Sequence, residues 1–214
     1  MIKIFLMFVS LLNIVKSYDI TIEEENKKIY QSSGEYTLLE GGELYYGDDD
    51  IYQFVDFADA TLVATKEGAL VLVTNKGYAS LYIFRSNSFL EVKTLTNKYK
   101  YIRLAYFNDK VYLFGQIELY QDEKFFVAKK TYFDSDDAFI VLLDEDYSFK
   151  QIGIFGGTLK EGFLDMRVNE QGYFLFGKKD PLSGGDFGNT YGDKHSYYLA
   201  HLDQNFKLLS FITF

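Results

Sequence analysis

Thirteen residues, Leu143 to Phe155, match Leu202 to Phe214 without a gap at a spacing of 59. Leu143-Asp144-Glu145-Asp146-Tyr147 answers to Leu202-Asp203-Gln204-Asn205-Phe206, and each copy continues into an apolar, β-rich run. A self-match of this period with strand-like contents points to a repeated β-sheet unit, and such units bury their faces only by stacking on neighbours. The second copy ends with the sequence, where the first continues into Gly156-Gly157. The expectation is therefore a chain that stops inside a repeat.

Short strand signals surround the match. Phe139–Leu143, Phe149–Phe155, Phe163–Val168 and Tyr173–Gly177 are separated by Asp144-Glu145-Asp146, Gly156-Gly157 and Asn169-Glu170-Gln171-Gly172, all turn-forming stretches. Four antiparallel strands in about 40 residues is the size of one propeller blade. A matching set precedes it at Leu81–Phe84, Phe89–Leu95, Tyr101–Phe107 and Val111–Gly115; Phe114-Gly115 lies 62 residues before Phe176-Gly177, and Phe84 lies 59 before Leu143. Upstream, Thr61–Ala64 and Ala69–Val73 read as a closing strand pair, its earlier strands drawn from Ile20–Tyr30, Glu35–Leu39 and Ile51–Phe57. No helical periodicity stands out. The predicted fold is all-β: an incomplete β-propeller of about three and a half four-stranded blades, or an open stack of antiparallel sheets. The final strand pair would then lack two partners and leave an edge open to self-association.

One unit carries a recognisable pattern. Asp137-Ala138-Phe139-Ile140-Val141-Leu142-Leu143-Asp144, then Phe155-Gly156-Gly157, then Gly172-Tyr173-Phe174-Leu175-Phe176-Gly177 resembles the bacterial β-propeller repeat, D-A-F-I-V-x-L-D followed by F-G-G and a G-Y-x-x-x-G closing strand. The resemblance covers 137–177 well and 196–214 in part, and it extends to 79–115 by strand layout alone. It departs in lacking the turn glycine after Leu-Asp and the tryptophan of the next strand. It implies secreted or surface proteins whose repeats are scaffolding, with no shared catalytic residues.

The first 17 residues read as an export signal. Lys3 gives a basic start, Ile4 to Val15 is apolar apart from Ser10 and Asn13, and Val15 and Ser17 fit a cut before Tyr18. Twelve apolar residues are short for a bilayer span of roughly 20, although an uncleaved anchor is the alternative. The expected organisation is thus a signal peptide at 1–17 and one repeat domain over 18–214, truncated at its C-terminus, secreted or at the cell surface, without a membrane span in the mature chain. There is no cysteine, which excludes disulfides and thiolate metal sites. Loss of Lys3 and Lys16 would make a chain of net charge −9 more acidic still, which disfavours nucleic acid as a partner. Nineteen tyrosines and 21 phenylalanines suit half-buried strands.

Two connectors of about 20 residues, Gln116–Asp137 and Lys178–Ser196, are long enough to be functional; the first has room for an extra hairpin. Asp134, Asp136 and Asp137 form an acidic run of the kind a hard cation such as calcium needs, as do Asp48-Asp49-Asp50, though neither has the 12-residue calcium-loop pattern. Solvated turn caps are the plainer reading. Gly184 to Tyr191 comes close to an Asp-box, with Asp186, Gly188, Thr190 and Tyr191 in step. His195 and His201 lack a third metal ligand nearby, and His201 falls where a strand residue facing one side of a sheet is expected. Asp144 and Asp203, equivalent in the repeat, read as turn-capping carboxylates. Exposed aromatics remain: Tyr45-Tyr46, Tyr132-Phe133, Tyr191 and Tyr197-Tyr198 lie in or beside turns, where tyrosine offers contact area at little entropic cost. The expected ligand-binding set is Tyr132, Phe133, Asp186, Tyr191 and Tyr197. It belongs to a scaffold that binds a protein or glycan at one loop face without catalysis. The alternative is the propeller portion of a secreted carbohydrate-active hydrolase.

Overall fold

Alternating burial along closely spaced strands gives sixteen of them, in four sheets of four, and among the described residues no α-helix. The structure, a computed structural model, describes residues 29–54, 57–75, 78–85, 88–96, 99–118, 136–157, 159–181, 185–187 and 196–214. The first sheet holds β1 (Ile29–Ser33), β2 (Tyr36–Leu39), β3 (Glu43–Tyr46) and β4 (Asp49–Gln53); the second holds β5 (Asp59–Thr65), β6 (Gly68–Asn75), β7 (Tyr78–Arg85) and β8 (Ser88–Thr96). The third comprises β9 (Tyr99–Phe107), β10 (Lys110–Glu118), β11 (Asp136–Leu143) and β12 (Phe149–Phe155). The fourth comprises β13 (Glu161–Asn169), β14 (Gly172–Lys179), β15 (Ser196–Leu202) and β16 (Leu208–Thr213). Every sheet is an antiparallel meander in sequence order. The fold is all-β, in keeping with an incomplete propeller or an open stack of sheets.

The strands group differently from the sequence expectation, two strands out of phase. Thr61–Val73 does not close a first blade; it opens the second sheet as β5 and β6, and the first sheet has four strands of its own. The final pair is not left without partners either, because β15 pairs with β14 from Tyr173↔Leu202 to Lys179↔Ser196. The cause is loop length. The long connectors run within the third and fourth sheets, from β10 to β11 and from β14 to β15, whereas the links between sheets are short. Grouping strands by short connections therefore pairs the wrong neighbours.

Three apolar layers hold successive sheets together. Leu38, Leu44 and Phe54 of the first sheet side meet Leu62, Ala69, Val71 and Phe84. Leu70, Leu72, Leu81 and Ile83 of the second sheet meet Ile102, Leu113, Phe139 and Val141 of the third. Tyr112, Phe114, Ile140 and Phe155 of the third sheet meet Phe163, Met166, Tyr173, Leu175 and Tyr198 of the fourth. Each leucine, isoleucine, valine, phenylalanine or methionine among them contributes about 1.5–3 kcal/mol on burial.

The leading strands β1, β5, β9 and β13 lie next to one another. β5 bonds to β6 on one side only, and its other edge is served by side chains of β1. Ala60 N–H donates to Tyr30 Oη (3.1 Å), Leu62 N–H to Gln31 Oε1 (2.8 Å) and Ala64 N–H to Ser33 Oγ (2.8 Å). Tyr30 Oη also donates to the Asp59 carboxylate, which pairs with Arg103 of β9. Backbone donors left over by the sheet are thereby satisfied without a fifth strand.

The self-matching segments occupy the same place in the third and fourth sheets, the turn from third strand to fourth. Asp144 N–H donates to Ser148 O (2.8 Å) and Tyr147 N–H to Asp144 O (2.9 Å); Asp203 N–H donates to Lys207 O (2.9 Å) and Phe206 N–H to Asp203 O (3.0 Å). Each is a three-residue hairpin loop closed by a left-handed residue, with φ of 60° at Tyr147 and 59° at Phe206. An aromatic thus stands where glycine is the easy choice. At Phe206 the strain is offset by packing, its buried ring lying edge-on to Tyr173 at 4.9 Å.

Candidate functional site

The ends of β10 and β14, and the starts of β11 and β15, lie together, so both long connectors leave from one end of the third and fourth sheets. This is the loop face the sequence points to. Tyr132, Phe133, Asp134 and Tyr191, with His195 and most of the extra-hairpin stretch, lie outside the described residues. Asp136, Asp137, Asp186 and Tyr197 can be placed.

Asp136 and Asp137 open β11 and are both buried. Gln116 Nε2 donates to Asp136 Oδ2 at 3.0 Å, along the register that sets Glu118 opposite Asp136. Asp137 lies against Gly156, where a β-carbon would come within 1.9 Å of its Oδ1. The aspartate of the D-A-F stretch and the first glycine of F-G-G are therefore two halves of one contact. The expectation of solvated caps fails for this pair, because the neighbouring sheet closes over the strand start. Among the described residues no group of three or more His, Asp or Glu side chains is arranged to hold a metal ion.

Asp186 sits in a 3-10 turn, Gly185–Phe187, and grips Gly156 twice: its N–H donates to Gly156 O (3.1 Å) and its Oδ2 accepts from Gly156 N–H (3.2 Å). Phe187 is buried against Tyr198 at 4.3 Å and against Phe155 and Phe163. The start of the second connector is thus anchored across the junction between the two sheets.

Beneath it lies a charged pair that sequence reasoning missed. Glu161 and Lys179 are cross-strand partners on β13 and β14, and both are buried. Lys179 Nζ donates to Phe187 O at 3.1 Å, and Gly157 N–H donates to Glu161 Oε2 at 3.3 Å. Burial lowers the Lys179 pKa, opposed by the negative field of Glu161. Burial, then Glu161, holds the Tyr198 phenol well above its ordinary range. Charged residues at strand ends ordinarily read as solvated, so the only available signal was position: both flank a connector. Gly177 makes room for Tyr198, whose ring would meet a β-carbon there at 2.3 Å, and the hydroxyl donates to Gly162 O at 3.3 Å.

Tyr197, one residue into β15, is 46% exposed and stacks on Phe176 with centroids 5.4 Å apart and planes within 9°. Register places it on the side of the fourth sheet turned away from the third, with Phe174, Phe176, Leu199 and His201. His201 stacks on Phe174 at 4.4 Å and donates from Nε2 to Gln171 O at 3.1 Å, a sheet-face residue as expected. Phe176 was missed as a site residue because it sits mid-strand. The Asp203 Oδ1 accepts from Asn205 N–H (2.8 Å) and Lys207 N–H (2.9 Å), and Asp144 Oδ1 from Glu145 N–H (3.0 Å); both cap their turns.

What the arrangement offers is a braced end with a flat, solvent-facing aromatic stack beside a connector. No family model matches the chain, and no curated protein is similar to it.

Proposed function

We propose that the chain is a secreted or surface-exposed scaffold that binds a protein or a glycan and catalyses no reaction. The observation that carries this reading is the Tyr197–Phe176 stack: a planar aromatic surface, half in solvent, held by the strand next to an anchored connector. Stacking restricts the Tyr197 ring before any ligand arrives, so little rotamer entropy remains to be lost on binding. The buried Glu161, Lys179, Asp136 and Gln116 fix the end from which ligand contacts would project. The resemblance of 137–177 to a surface-protein repeat supports the same setting.

The test is to screen the purified chain on glycan arrays and against extracellular protein fractions, with chromogenic glycosides alongside. A ligand retained by the wild type and lost by Tyr197→Ala and Phe176→Ala, without turnover, is the expected result. Glycoside hydrolysis abolished by neutralising a carboxylate would sink it.

A further inference from the structure

We propose that β16 is a self-association edge, at which two copies of this chain pair antiparallel about a two-fold axis to join their fourth sheets. Each sheet ends in an outer strand: β4, β8, β12 and β16. Three of these carry charge in their sequence: Asp49 and Asp50, Glu91 and Lys93, and Lys150. Charged residues, lysine above all, keep sheet edges from pairing with other chains. Leu208-Leu209-Ser210-Phe211-Ile212-Thr213 has none. The repeat makes the contrast specific, because Leu209 stands where the third sheet has Lys150, and Ile212 where it has Gly153. Leu209, Phe211 and Ile212 are 52%, 37% and 48% exposed.

The backbone points the same way. Phe214 N–H donates to Tyr197 O, so Phe214, Ile212 and Ser210 turn their backbone groups toward β15. Phe211 and Thr213 then direct theirs to the side of β16 on which no strand pairs among the described residues. A two-fold normal to the sheet keeps each face on one side and therefore pairs residues of equal parity. Centred on Ile212, it sets Ile212 against itself, Phe211 against Thr213 in a hydrogen-bonded pair, and Ser210 against Phe214. The occupant is a second copy because the same strand, reversed, supplies both the complementary donors and a charge-free edge. The other outer edges of this acidic chain would bring charge against it.

Sedimentation velocity and light scattering on the purified chain test this, with Leu209→Lys and Ile212→Lys as variants. A reversible dimer whose dissociation constant rises by ~100-fold or more in either variant is expected. The native chain has no cysteine, so Ile212→Cys carries a single thiol and should form an intermolecular disulfide under mild oxidation, while Lys150→Cys should not. This cross-link decides the matter even if a lysine variant unfolds. A chain monomeric up to about 100 µM, or a dimer indifferent to both lysines and not cross-linked at residue 212, would overturn the proposal.

Discussion

The third and fourth sheets are built on one pattern and meet different surroundings. In the third, Tyr112, Phe114, Ala138 and Ile140 are buried beneath the next sheet. Their counterparts in the fourth are Phe174, Phe176, Tyr197 and Leu199, on a side with no further sheet among the described residues. Small Ala138 becomes large Tyr197, and Leu142 becomes His201, and each new ring lies flat on a phenylalanine of the same sheet. The repeat keeps its strand and turn skeleton and changes the side chains that the context touches. Function is to be sought in those changes.

The strongest test of the comparison is at the junction between the two sheets. Lys179→Met should cost about 3–5 kcal/mol in chemical denaturation by leaving Glu161 buried without its cross-strand partner, whereas Lys179→Met combined with Glu161→Gln should recover most of that loss. A double variant no more stable than Lys179→Met alone would refute a role for the charge. The paired turns come next. Phe206→Gly relieves a left-handed backbone but loses buried packing, with an expected loss of about 2–4 kcal/mol. Tyr147→Gly, at a half-buried ring, should change stability by less than about 1 kcal/mol.

Alkaline pH gives a third test. Tyr112 and Tyr198 have raised pKa values, chiefly through burial. Above the ordinary tyrosine value of about 10 the unfolded chain loses these protons while the folded chain keeps them. Their contribution is whole below pH 10 and lost as pH rises, by up to about 1.4 kcal/mol per unit for each phenol. Lys179, with a lowered pKa, works in the opposite sense below its ordinary value, so thermal melts in Lys179→Met should show the tyrosine decline unmasked. The smallest effects lie at the caps. Asp203→Ala, losing two backbone donors, should cost about 1 kcal/mol, and Asp144→Ala less. Tyr197→Ala should leave the melting profile within about 0.5 kcal/mol of the wild type while abolishing ligand binding.

Strand existence was legible because alternation and turn chemistry are local. The Asp144 and Asp203 caps and the strand position of His201 followed from the same local signals. Strand grouping was not legible: a meander has no intrinsic starting point, and the long connectors, which look like boundaries, fall inside sheets. β3, Glu43–Tyr46, was missed because Gly41, Gly42 and Gly47 around it read as turn, and Tyr45-Tyr46 was taken to lie beside one. Glu161, Lys179 and the burial of Asp136 and Asp137 were hidden for another reason. Each depends on a neighbouring sheet closing over a strand end, and nothing in the flanking residues records that.

The contacts of Tyr30, Gln31 and Ser33 along β5 give the array a polarity. At that end, leading-strand amides are sheathed by side chains from the sheet before, so removing the first sheet would strip three donors and bare a template for foreign strands. A unit added or exchanged there must supply the same three oxygens in the same order, whereas at the other end β13 already has its predecessor and makes no such demand on a later unit. Such an array is easier to lengthen from one end than from the other.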